Sequence, residues 1–114
     1  LQLLALEPAP PSFDLLTRNL AAAGLTQRVA ALPLALGAVA GPRTLSYYPR
    51  MPGNASFWPE AKWAGRHAAF APARHEAMFA SEPLRCQAET LPALLRRRGL
   101  GAPGSVALLK LDVE

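Results

Sequence analysis

Leu1-Gln2-Leu3-Leu4-Ala5-Leu6-Glu7-Pro8 decides how this chain is read: an apolar run that stops in one carboxylate and a proline. The unbroken apolar character of residues 1–6 suits a strand buried on both faces of a parallel sheet. Open α/β sheets bind their ligands outside the carboxyl ends of the strands. A carboxylate at that end can accept hydrogen bonds from two ribose hydroxyls, which makes Glu7 a candidate for gripping a nucleotide-type cofactor. The other role open to Glu7 is that of an ordinary strand-end carboxylate capping the next helix.

Working outward, Pro10-Pro11-Ser12 opens a helix, because proline in the first turn gives up an N–H that would have no partner there. Phe13, Leu16 and Leu20 recur on one stripe, and Gly24 is a natural stop, so a helix is expected over 11–23. Residues 28–36 form the next strand candidate; Pro33 cannot donate to a ladder and places it at a sheet edge or strand end. A turn at Gly41-Pro42 and a short strand over 44–48 follow, with pairing back as a hairpin as one option. Residues 49–82 carry Pro49, Pro52, Gly53, Pro59, Gly65 and Pro72 and read as a long loop with one or two short helices, one over 74–80. Loops of that length in compact domains are often functional. A short strand over 84–88 precedes Thr90, an N-cap for a helix over 91–98 ended by Gly99. Pro103-Gly104 is a turn, and 105–113 reads as a closing strand. Strands and helices in this order indicate an α/β fold.

The closing strand, Val106-Ala107-Leu108-Leu109-Lys110-Leu111-Asp112-Val113-Glu114, carries three charges at alternate positions. Alternation puts Lys110, Asp112 and Glu114 on one face and Leu109, Leu111 and Val113 on the other. Charges are rarely buried unpaired, so in a central strand Lys110 should meet a carboxylate and Asp112 should emerge at the carboxyl edge. An exposed antiparallel strand with a polar face is the plain alternative. Arg50, near Pro52-Gly53-Asn54, suits an acidic substrate group, and Arg50 and Asn54 are the substrate-binding candidates. Trp58 and Trp63 either shape a substrate wall or pack.

Composition bounds the rest. The chain has 114 residues, 51% of them hydrophobic, with 12 prolines and 8 glycines, which suits one domain or part of one and argues against long helices. Net charge is +4, and arginine supplies most of it. Arg96-Arg97-Arg98 reads as a solvated helix face; aromatic interleaving of the kind that binds single-stranded nucleic acid is absent, so no nucleic-acid partner is expected. The single cysteine, Cys86, cannot form a disulfide within the chain and reads as a small buried hydrophobe. His67 and His75 have no metal-site spacing, so no metal is expected; they read as surface residues, with either as a base as the other option if the loop folds over the pocket. No apolar run reaches membrane-spanning length, and the compartment stays open. Asn54-Ala55-Ser56 is a formal glycosylation sequon and reads as chance.

Leu6-Glu7-Pro8-Ala9-Pro10, Leu16-Thr17-Arg18-Asn19-Leu20, Leu34-Ala35-Leu36-Gly37, Thr90-Leu91 and Leu109-Lys110-Leu111-Asp112-Val113-Glu114 together resemble, in order, the FkbM-type methyltransferases. Tyr47 to Ser56 resembles a loop in some members, including ones attached to large biosynthetic synthases. The resemblance implies an incomplete class I, Rossmann-like sheet with helices and an irregular loop insertion, and S-adenosyl-L-methionine as cofactor. Glu7 matches the ribose-binding position. Ala35 and Leu36 match the segment near the adenine. Asp112 and Glu114 match the acidic pair beside the transferred methyl, with Asp112 at the cofactor too and able to act as base. Asn19 matches a helix asparagine of the family; a second one, often four residues on, is Ala23 here. The implied reaction is methyl transfer to a small-molecule acceptor, most simply to oxygen.

In that family the first strand and its Gly-rich turn precede the segment that begins at residue 1. Residues 1–114 are therefore expected to be a partial domain of a larger, multidomain protein, cut at both ends, poorly stable and weak in cofactor binding alone. Two other readings stay open: another nucleotide-cofactor α/β enzyme, such as an NAD-dependent dehydrogenase, and a non-catalytic basic interaction module using Arg96–Arg98.

Overall fold

The structure, a computed structural model, describes residues 3–60 and 77–111. Its elements run β1 (Leu3–Leu6), α1 (Pro10–Ala22), β2 (Val29–Leu32), β3 (Leu34–Leu36), β4 (Gly41–Tyr47), β5 (Glu82–Glu89) and α2 (Leu91–Arg97). A 3-10 turn covers Pro52–Asn54.

β1 and β2 pair in parallel through the α1 crossover, with Leu3 opposite Val29 and Leu6 opposite Leu32. This β-α-β unit is the α/β signature that the sequence predicts. Pro10 and Pro11 take the first positions of α1, so two of the N–H groups that a helix start leaves without partners do not exist here. Both helices end alike. Gly24 and Gly99 adopt φ +67 and +71. In α1, Leu25 N–H then reaches Leu20 O at 2.9 Å and Gly24 N–H reaches Ala21 O at 3.1 Å; in α2, Leu100 reaches Leu95 at 2.8 Å and Gly99 reaches Arg96 at 3.0 Å. This double bond past the helix end is the Schellman closure, which needs a residue at ease with positive φ. At the front of α2, the Thr90 hydroxyl accepts from Ala93 N–H, as the N-cap expectation requires.

A second sheet has the order β3-β5-β4, with β3 parallel and β4 antiparallel to β5. Ala35 lies opposite Ala88, Arg43 opposite Cys86, and Leu45 opposite Leu84. One face of this sheet is the core: Ala35, Leu45, Tyr47, Cys86 and Ala88 are buried together, and Ala9 from the β1–α1 turn joins them. Ala55, Phe57 and Leu84 pack against this cluster.

Three expectations are corrected. The strand over 28–36 is two strands in two sheets: Pro33 has no N–H to donate, and the ladder breaks there. The strand after Gly41 does not pair back on its predecessor; β5, from beyond the long loop, inserts between β3 and β4. Residues 105–111 form no strand. A strand exists through its ladder, and this segment has no ladder partner among the described residues; Leu108 is 87% exposed. Alternation over 105–111 defines no sheet faces; Asp112 and Glu114, expected to share a face with Lys110, lie outside the described residues. Of the helix expected over 74–80, residues 77–79 are helical and 74–76 lie outside the described residues.

Candidate functional site

Glu7 is set by its backbone. Its N–H donates to Leu32 O at 3.1 Å, the last rung of the β1–β2 ladder, so its side chain leaves at the carboxyl end of a parallel pair. Its Oε1 accepts from Ala9 N–H at 2.9 Å. Ala9 is the N-cap of α1 and has no side chain with which to cap the helix itself. Glu7 thus takes the capping role and keeps the strand-end position. Both readings of this residue are compatible, because one carboxylate oxygen is spent on Ala9. Glu7 makes no other hydrogen bond or ion pair among the described residues. A carboxylate held at one oxygen, whose second oxygen bonds to no described residue, can accept from hydroxyl donors.

Ala9 ties this strand end to the second sheet, since its methyl, 1% exposed, lies in the cluster with Ala35. Ala35 itself is 4% exposed, its side chain turned into that cluster. Any contact from Ala35 to a bound molecule must therefore come through its backbone. Leu36 is half-buried and, by strand alternation, faces the opposite side. Gly37 follows, its N–H on Glu89 O at 3.1 Å; a methyl there would sit 3.7 Å from the Ala88 Cβ, ordinary contact.

Arg50 and Asn54 lie on the loop after β4, Arg50 exposed and Asn54 half-buried. Ala55 and Phe57 of the same loop pack on the cluster that holds Ala9 and Ala35. The structure thus brings the loop, the β3 segment and the residue two beyond Glu7 onto one apolar cluster. Asp112 and Glu114, the catalytic candidates, lie outside the described residues, as do Trp63, His67 and His75. Among the described residues no cluster of three or more His, Cys, Asp or Glu could hold a metal ion, and no helix is long and apolar enough to cross a membrane.

Of the arginine triplet, Arg97 is committed. Its guanidinium grips Glu89 with two prongs, Nε to Oε1 at 3.2 Å and a terminal nitrogen to Oε2 at 2.6 Å. That hydrogen bonding holds the Glu89 carboxyl below its usual range; partial burial opposes the shift, and the charges of Arg97 and Arg98 add to it. Burial pushes the Cys86 thiol up, as fits a packed hydrophobe rather than a nucleophile.

Sequence reasoning missed Ser56. It is 1% exposed, and its Oγ accepts from Trp58 N–H at 3.0 Å. The signal was present: Ser followed two residues later by an N–H to hold is the ST-turn pattern. The residue dismissed as part of a chance sequon is a fixed point of the loop.

Part of this chain is similar to the protein named Methyltransferase sdnD from Sordaria araneosa, with 44% identity over 61 residues. The match covers 54% of this chain and 24% of that protein. It supports a methyltransferase family for the chain. No family model matches, and no solved structure matches.

Proposed function

We propose that this chain is part of an FkbM-type, S-adenosyl-L-methionine-dependent methyltransferase that methylates an oxygen of a small molecule, sugar or biosynthetic intermediate. The observation that carries the reading is Glu7: a carboxylate at the carboxyl end of a parallel strand, steadied at one oxygen by Ala9 N–H and with no further hydrogen bond among the described residues. The methyltransferase relative supports the same class of reaction.

In this reading Glu7 holds the ribose hydroxyls of the cofactor. When bound, S-adenosyl-L-methionine supplies an activated methyl on its sulfonium. The protein's work is alignment and exclusion of water, which brings the acceptor oxygen in line with that methyl. Asp112 takes the acceptor's proton as general base, and Glu114 completes the acidic pair. Arg50 and Asn54 orient the acceptor from the loop.

Methyl-labelled S-adenosylmethionine incubated with the full-length protein and a small-molecule extract tests this. Label is expected in small molecules with the wild-type protein and not with Glu7→Ala. No transfer by a folded wild-type protein, or undiminished transfer by Glu7→Ala, would count against it.

A further inference from the structure

The loop that leaves β4 is closed at its base. Ser46 N–H donates to Ser56 O at 2.9 Å, and Ser56 N–H returns to Ser46 O at 3.0 Å. Between them, Met51 N–H reaches Tyr48 O at 2.8 Å and Asn54 N–H reaches Met51 O at 2.9 Å. Tyr48 is buried, and Ala55 leans on the core cluster. A compact loop with bonded ends and its own packing is an Ω-type loop, a form that often carries function.

Trp58 stands where this loop exits. The Ser56 hydroxyl holds its backbone N–H, and its neighbour Phe57 packs on the cluster. The residue as a whole, by contrast, is 69% exposed. Tryptophan is highly buried on average, so an exposed indole on a backbone held this firmly calls for a reason. The indole offers a flat apolar face and an N–H donor at its rim. With few rotatable bonds and an anchored backbone, it loses little freedom when a ligand covers it. Among described residues 46–60 it is the one exposed large apolar side chain, a flat surface on the scale of one ring.

We infer that Trp58 is a specificity-determining residue that stacks its indole on a ring face of the acceptor, aromatic or sugar. The word acceptor rests on the methyltransferase reading; the ring-stacking site does not. Trp58 shares its loop with Arg50 and Asn54, and that loop packs on the cluster beside Glu7, so a ring held there lies on the element that reads the substrate.

The test uses the full-length protein, wild type, Trp58→Ala and Trp58→Phe, in saturation-transfer NMR titrations. Catechol and methyl β-D-glucopyranoside serve as ring probes and 1,4-butanediol as the ringless control. At least one ring probe should bind the wild type, weaken about fivefold or more in Trp58→Ala and recover most of its affinity in Trp58→Phe, the scale of one aromatic contact. The ring probe that responds tells an aromatic from a sugar site. No ring binding to wild type, equal binding by Trp58→Ala, or the same loss for 1,4-butanediol would overturn the inference. Titrating S-adenosylmethionine into the same samples separates the two claims: Trp58-dependent ring binding without cofactor binding would sink the methyltransferase reading and leave the ring site standing.

Discussion

Leu45→Ala should cost far more than its position in a short strand suggests. Leu45 is 2% exposed and opposite Leu84. Its cluster holds Ala9, Ala35 and Ala88 beside Tyr47 and Cys86, with Ala55, Phe57 and Leu84 packed against it. The three alanines have no rotatable side chain with which to fill a void, so the cavity left by the deletion closes only in part. Leu→Ala in a core costs about 2–5 kcal/mol, more where the site cannot collapse; partial relaxation of half-buried Leu84 brings the expectation to about 3 kcal/mol. Thr44→Val, one residue away but exposed on the other face, should stay within about 0.5 kcal/mol. Amide hydrogen exchange is the assay, read at Cys86 and Ala88 in the central strand β5. Exchange limited by opening of that sheet should speed up about a hundredfold in Leu45→Ala and remain unchanged in Thr44→Val. Equal acceleration by both variants, or a Leu45→Ala effect below about 1 kcal/mol, would refute the assignment of faces and the cluster built on it.

Other consequences are sharper on single bonds. Arg97→Gln removes the donor that lowers the Glu89 carboxyl, so an NMR titration should show that carboxyl rising toward its usual range. Because the folded-state value is depressed, the pair's contribution is complete above the ordinary carboxylate range and is lost as pH falls through the lowered value; an unmoved Glu89 titration in Arg97→Gln would contradict the bidentate contact. Thr90→Ala should lower stability by about 0.5–1 kcal/mol, since the cap bond is long at 3.4 Å, measurable as faster exchange in the first turn of α2. Cys86 should resist a thiol reagent at neutral pH and react fully once the protein is denatured, with Cys86→Ser as the blank; prompt reaction in the native protein would contradict its burial.

The legible parts of the fold were those written in local chemistry. Pro10-Pro11 and Gly24 bracket α1 within one residue, and Thr90 and Gly99 bracket α2, because caps and positive φ are satisfied by residues close in sequence. Pro33 signalled a sheet edge or strand end but not that residues 28–36 divide between two sheets, because the partner of the second half is β5, far along the chain. Local sequence carries no address for that partner. The closing segment failed for a related reason: alternation in 106–111 describes a strand only when a sheet supplies two faces. The place of Glu7 at a strand end was legible from the apolar run before it, and the structure adds that Ala9 N–H holds one of its oxygens. Ala35 reads as a segment neighbour of a ligand, but its burial comes from cross-strand pairing with Ala88. The turn from Ser56 to Trp58 N–H is local and readable, whereas the pairing of Ser56 with Ser46 crosses the loop base and has no local signal.

The most direct measurement is a calorimetric titration of the full-length protein with S-adenosylmethionine and, separately, with NAD. The account predicts saturable one-site binding of S-adenosylmethionine, weakened at least about tenfold by Glu7→Ala through loss of charge-assisted hydrogen bonds, and no comparable binding of NAD. Binding of NAD in its place, or S-adenosylmethionine affinity indifferent to Glu7, would contradict it.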